Sequence, residues 1–166
     1  MRFAAHYDYP SPPAQVAALL QNRDYLVAAA RAAGAESSQV EVKPGADGSL
    51  TVTIRWTMPS TGLPAPTRAA APQGLEVRLA LVWERPAAGR DRQATMAGQI
   101  AGAGVHLSGL SRLRPVGEGS RLEVSGEVKA QLPLIGRAIE EAAAPAIVKV
   151  LDAQHQVALD WLAGRG

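Results

Sequence analysis

The chain of 166 residues contains no cysteine, which excludes both a disulfide framework and a thiolate metal site. Aromatic residues are scarce: one Phe (Phe3), three Trp and three Tyr. The apolar share of 47% therefore leans on Ala. A core of small residues packs badly unless its few large side chains are well placed, so Trp56, Trp83 and Trp161 carry weight. Neither sign of charge dominates, since 17 basic and 15 acidic residues leave a net +2. That balance speaks against a surface built for nucleic acid. No apolar run approaches the ~18 residues of a membrane span, and Met1 to Asp8 lacks the apolar stretch of a signal peptide. These absences lead us to expect a cytoplasmic protein with no integral membrane segment, no nucleic-acid partner, no cofactor and no metal. The length suits a single domain over 1–166 with a real core.

What is present is organised around the last stretch, Leu134 to Leu162. Ile135, Ile139, Ala143, Ile147, Val150, Leu151, Val157, Ala158, Trp161 and Leu162 recur at spacings of three and four. That places them on one side of a long α-helix. At ~1.5 Å per residue it runs roughly 40 Å, and it cannot hide its stripe alone. Pro145 interrupts its middle, where a bend is expected.

Before it the chain reads mostly as strands. Arg2–Tyr9 opens, ended by Pro10. Ser11 is expected to cap a first helix containing Pro12, Pro13, Val16, Leu19 and Leu20. Asn22 or Asp24 caps a second helix, stopped by Gly34. Strands Ser37–Lys43 and Ser49–Met58 follow as a hairpin around the turn-rich 44–48. The second alternates, with Leu50, Val52, Ile54, Trp56 and Met58 set to face the long helix. Residues 59–74 carry four prolines, so at most Thr67–Ala71 forms a helical turn. Leu75–Arg85 alternates Leu75, Val77, Leu79, Leu81 and Trp83 inward. The turn Pro86-Ala87-Ala88-Gly89 leads into Arg92–Ile100, with Ala94, Met96 and Gly98 inward. After a turn marked by Gly102 and Gly104, strands Val105–Pro115 and Ser120–Ala130 form a last hairpin about Gly117-Glu118-Gly119. Leu122, Val124 and Val128 face inward there.

That order is α+β: seven mostly antiparallel strands, a short helix pair after the first, and one long helix last. It resembles the helix-grip fold of the START-like superfamily (SRPBCC, birch-pollen-allergen-like or polyketide-cyclase-like). Three local pieces sharpen the likeness: Tyr9-Pro10-Ser11-Pro12 before the first helix, the strand Gly126-Glu127-Val128-Lys129, and Leu132-Pro133-Leu134-Ile135-Gly136 followed by Ile139-Glu140. Together they resemble an uncharacterised START-like group of GC-rich bacteria across the whole chain. The resemblance brings no catalytic motif. In one respect the chain departs from such relatives, which tend to carry an amphipathic helix between strands three and four. Here Pro64-Ala65-Pro66-Thr67-Arg68-Ala69 is small and proline-broken, which tells against a well-formed lid.

The resemblance implies a cavity between a curved seven-stranded sheet and the carboxy-terminal helix, used for a small apolar ligand such as a lipid or polyketide. Its expected walls are Trp56, Met58, Trp83 and Met96 on strands, with Ile147, Val150, Leu151 and Gln154 on the helix. The plainer alternative is that these residues fill the core. Gln154 falls mid-stripe, where a bare amide costs roughly 1–3 kcal/mol. It either orients a ligand or bonds a Trp indole, a strand hydroxyl or water.

His6, His106 and His155 share no metal-ligand spacing, and His155 sits at the edge of the stripe as a surface or satisfied core residue. No phosphate loop or nucleophile elbow occurs. Glu140 and Glu141 diverge on a helix and suit its amino-terminal dipole better than acid–base pairing. Arginines 85, 90 and 92, and 112, 114 and 121, read as solvated strand ends. A second reading, a cyclase- or dehydratase-like enzyme, has only His106, Glu127 or Gln154 to draw on. A third is a protein-interaction module with a collapsed groove.

Overall fold

The computed structural model describes residues 1–87, 91–101 and 103–166. The expected turn at Ala88 and Gly89, together with Arg90 and Gly102, lies outside the described residues.

Seven strands form one antiparallel sheet: β1 (Arg2–Tyr9), β2 (Ser37–Pro44), β3 (Leu50–Met58), β4 (Leu75–Trp83), β5 (Arg92–Ile100), β6 (Val105–Val116) and β7 (Gly119–Ala130). Their spatial order is β1-β7-β6-β5-β4-β3-β2. Every neighbour but one is also a neighbour in sequence; the exception is β1, which lies against the last strand, with Phe3 opposite Gly126 and Tyr7 opposite Leu122. The period-2 patterns set the faces. Val52, Ile54 and Trp56 are buried on β3, Leu122, Val124 and Val128 on β7, and the residues of opposite parity point outward.

Inward glycines admit large neighbours. A Cβ on Gly126 would lie 2.6 Å from the Phe3 ring, and one on Gly109, its cross-strand partner, 2.8 Å from the Met96 Cε. Side chains there would displace Phe3 and Met96.

Helices α1 (Pro13–Leu20) and α2 (Arg23–Ala32) follow β1. Ser11 does not cap α1. The N-cap position falls on Pro12, because Pro13 takes the first helical place, and the Ser11 carbonyl instead accepts the Ser120 hydroxyl at 2.8 Å. Asn22 does cap α2, its Oδ1 accepting from the amides of Asp24 and Tyr25. Gly34, at φ 95°, closes that helix: its N–H reaches the Arg31 carbonyl and the N–H of Ala35 the Ala30 carbonyl, the Schellman arrangement. α2 packs on β2 and on the last helix, while α1 rests on β6 and β7.

The prolines after β3 do not forbid a helix. After a 3₁₀ turn (Ser60–Gly62), α3 runs Ala65–Ala70 with Pro64 in the N-cap position and Pro66 in its first turn, where no intrahelical N–H is required. It thus begins two residues before the expected turn.

The long helix, α4 (Gly136–Leu162), continues through the exposed Pro145. It starts later than expected. Leu134 takes φ 68° and stands fully in solvent, and Ile135 occupies the N-cap position half exposed, so it does not join the apolar stripe. Glu140 then bridges the junction, its Oε1 accepting from the Ala130 amide at 2.8 Å. That bond, helped to a lesser degree by the terminal ammonium, outweighs the opposing effect of desolvation and holds its carboxyl below the usual range.

Candidate functional site

α4 lies over the inward face of the sheet, packed directly on β1 and β7. At this edge it is pinned by polar and aromatic contacts. The Tyr7 hydroxyl donates to Asp152 Oδ1 at 2.8 Å, and the His155 ring lies 5.0 Å from that of Tyr7 and 4.9 Å from that of Tyr9. His155 is therefore neither a surface nor a satisfied core residue: its Nδ1 is buried without a partner among the described residues. Burial lowers its pKa, against a smaller upward pull from Asp152 and Asp8. Burial likewise raises the Tyr7 hydroxyl, reinforced by its bond to Asp152, and alone raises that of Tyr9.

Away from that edge, sheet and helix separate around a half-open cavity of about 240 Å³. All eight expected wall residues line it: Trp56, Met58, Trp83 and Met96 from β3, β4 and β5, and Ile147, Val150, Leu151 and Gln154 from α4. Val77, Leu79 and Leu81 also line it, and they stay only half-buried although they face the helix. Inward strand residues pressed against partners would be covered; these leave surface bordering a space. Pro64, Thr67, Ile100, Val105, Ala143 and Ala146 complete the lining near the start of β4.

The polar groups are few. The Tyr25 hydroxyl is committed to the backbone carbonyl of Gln154, 3.0 Å away, and burial raises its pKa far above neutrality. Contrary to one expectation, the Gln154 amide meets no indole. The Nε1 atoms of Trp56 and Trp83 are buried without partners among the described residues, each at a cost of about 1–3 kcal/mol. The β3–β4 register pairs Trp56 with Val77 and Trp83 with Leu50. The two Trp backbones therefore stand six strand positions apart, roughly 20 Å along the sheet.

Sequence reasoning missed Ser111, Thr67, Gln99 and Tyr25, all of which line the cavity. Parity could have found Ser111, which shares its side of β6 with the buried Leu113. Thr67 was hidden by the undervalued α3.

His106 and Glu127, the candidates for acid–base work, lie on the outward positions of β6 and β7, and neither lines the cavity. Arg112, Arg114 and Arg121 each pair with a carboxylate, Asp91, Glu123 and Asp8 respectively, so they form no free cationic patch. A shallower hollow of about 680 Å³ lies on the outer face of β1, β7 and β6, over the Gly109–Gly126 pair. Among the described residues no group of three metal-ligating side chains occurs, and no helix is long and apolar enough to cross a membrane.

The profile of a family described as "Protein of unknown function (DUF2505)" matches residues 4–162. Solved structures share the fold at low identity. TTHA0849 from Thermus thermophilus is 16% identical with a TM-score of 0.66, covering 96% of this chain and 97% of that one. A START superfamily protein from Mycobacterium smegmatis is 12% identical with a TM-score of 0.59, covering 93% and 94%. Ara h 8.0201 is 15% identical with a TM-score of 0.57, covering 96% and 98%. No curated protein matches by sequence. The expected START-like helix-grip fold is the fold observed.

Proposed function

The chain belongs to the DUF2505 family of unknown function, and from that premise we propose that it holds a small apolar ligand between the sheet and α4. One observation carries the reading: a cavity of about 240 Å³ whose described lining is nearly all aliphatic, aromatic or thioether, with no charged side chain. Apolar walls with a few polar groups are the common character of small-molecule sites, and the volume falls a little below their usual ~300–1,000 Å³, which suits a small ligand. Trp56, Met58, Trp83 and Met96 form the strand side of the wall; Ile147, Val150, Leu151 and Gln154 form the roof. The single domain over 1–166 and a cytoplasmic location belong to the same proposal.

The enzymatic alternative draws no comparable support. General acid–base chemistry needs a titratable group near neutrality within reach of the substrate, and Tyr25 is the one titratable side chain in the described lining. The interaction-module alternative needs a filled groove, which a cavity of this size does not provide.

The test is direct. Protein purified without denaturation is extracted with organic solvent and the extract analysed by mass spectrometry; a neutral polarity-sensitive dye is then titrated into the stripped protein. A co-purifying apolar molecule that competes with the dye is expected. An empty extract together with a dye signal that no apolar competitor displaces would overturn the reading.

A further inference from the structure

We propose that the part of the ligand lying under α4 is a single unbranched hydrocarbon chain of about eight to ten carbons, its polar or charged head left at the open side. This rests on the ligand-binding reading above and narrows it to slender chains over fused rings.

The first ground is where the sheet is left uncovered. Val77, Leu79 and Leu81, successive inward residues of β4, are half-buried and line the cavity. Their cross-strand partners on β3 are Trp56, Ile54 and Val52, which are only 7%, 3% and 1% exposed. On the other side Leu81 pairs with the buried Met96, and Leu79 with Gly98, which has no side chain to cover it. The bare surface therefore follows β4 as a strip about one strand wide, ~4.8 Å. Leu75 and Trp83, both buried, close its two ends. A flat ring system would need uncovered surface on β3 as well.

The second ground is length against volume. From Ala143 to Gln154, the stretch of α4 that lines the cavity, the helix advances ~16 Å. Spread along that length, about 240 Å³ leaves a mean section of ~15 Å². Carbon atoms in contact sit ~3.5–4 Å apart, so this is the section of one chain in single file, and fused rings need about twice as much. At ~30 Å³ for each water-sized group, the volume takes about eight methylenes. The strip from Val77 to Leu81 runs ~13 Å. An extended chain advancing ~1.2 Å per bond covers that in about ten bonds. Volume and length thus agree on the size of the occupant.

The third ground is charge. No Asp, Glu, Lys, Arg or His stands in the described lining, and the cavity is half-open. A charged or strongly hydrated head would lose its water inside without meeting an opposite charge. It stays at the opening while the chain lies along β4.

Calorimetric titration of the full chain with the straight-chain alcohols from 1-pentanol to 1-dodecanol tests the proposal, with decahydronaphthol as the ten-carbon fused-ring comparator. Affinity is expected to rise about fourfold per methylene and to level off between octanol and decanol. Decanol is expected to bind at least ~10-fold more tightly than decahydronaphthol, which cannot follow the strip. Ala143→Leu adds three carbons to the lining near the start of β4, and should move the levelling point about three carbons shorter. A rise unbroken to dodecanol, a levelling point below octanol, a fused-ring alcohol that matches decanol, or an unmoved levelling point in the variant would each overturn the proposal and leave the ligand-binding reading standing. If none of the alcohols binds, both fall.

Discussion

Leu134 holds a φ of 68° with its side chain fully in solvent. A left-handed conformation costs an L-residue roughly 1–2 kcal/mol, and here no packing returns any of it. Leu134→Gly is therefore expected to stabilise the protein by about 1 kcal/mol, after allowing for the extra freedom glycine gives the unfolded chain. A urea midpoint that fell would mean the Leu side chain has a partner. His155 makes a second case. Its pKa is lowered by burial between Tyr7 and Tyr9, with Asp152 and Asp8 pulling weakly the other way. The unfolded chain then takes up the proton first. The stability contributed by neutral His155 is complete above about pH 6.5, the ordinary value. It declines as the pH falls below that, and the loss is finished once the pH is under the folded value. Unfolding curves of the protein and of His155→Phe should diverge with pH in that window and run parallel above it. Parallel curves throughout would mean the folded imidazole titrates normally. At this scale the sequence was least informative: spacing put His155 at the edge of a stripe, but only the fold brings it between two β1 tyrosines.

Elements were far more legible, because their signals are local. The strand faces follow from alternation, and the start and end of α2 from Asn22 and Gly34. Errors came where proline was read as a breaker without regard to position. Pro64 and Pro66 start α3, and Pro133 delays α4. The middle of α4 also joins two environments within one turn. Ala143 is half-buried and borders the cavity, whereas Ala144 is 8% exposed and does not. Ala143→Leu should extend into open space: ligand or dye affinity is expected to fall by at least ~10-fold, with stability unchanged or slightly raised, since leucine is also a good helix former. Ala144→Leu should instead overpack the contact with its neighbours and cost about 1–3 kcal/mol. Thermal melts and dye titrations of the pair decide it. Two equally destabilised variants would mean the space beside Ala143 is not real.

For the molecule as a whole, seven strands and a terminal helix were countable from the sequence, yet whether the inward residues meet or stand apart was not. Trp56, Met58, Trp83 and Met96 are the side chains of a filled core and of a ligand wall alike; the difference lies in how far α4 stands from the sheet. That spacing is set by contacts distant in sequence, chiefly α4 on β1 and β7 and α2 on α4. A space held open in this way leaves its lining without close partners, so the native state has something to gain from an occupant. A ligand that binds only the folded protein adds stability according to its concentration over its dissociation constant, about 2.7 kcal/mol at a hundredfold excess. For a domain of this size that corresponds to a rise in Tm of roughly 5–10 °C. Octanol at such an excess should produce the shift by calorimetry, and Ala143→Leu should abolish most of it. A Tm indifferent to the alcohol at saturating concentration would mean that the separation of helix from sheet closes in solution, and that the inward face is a core after all.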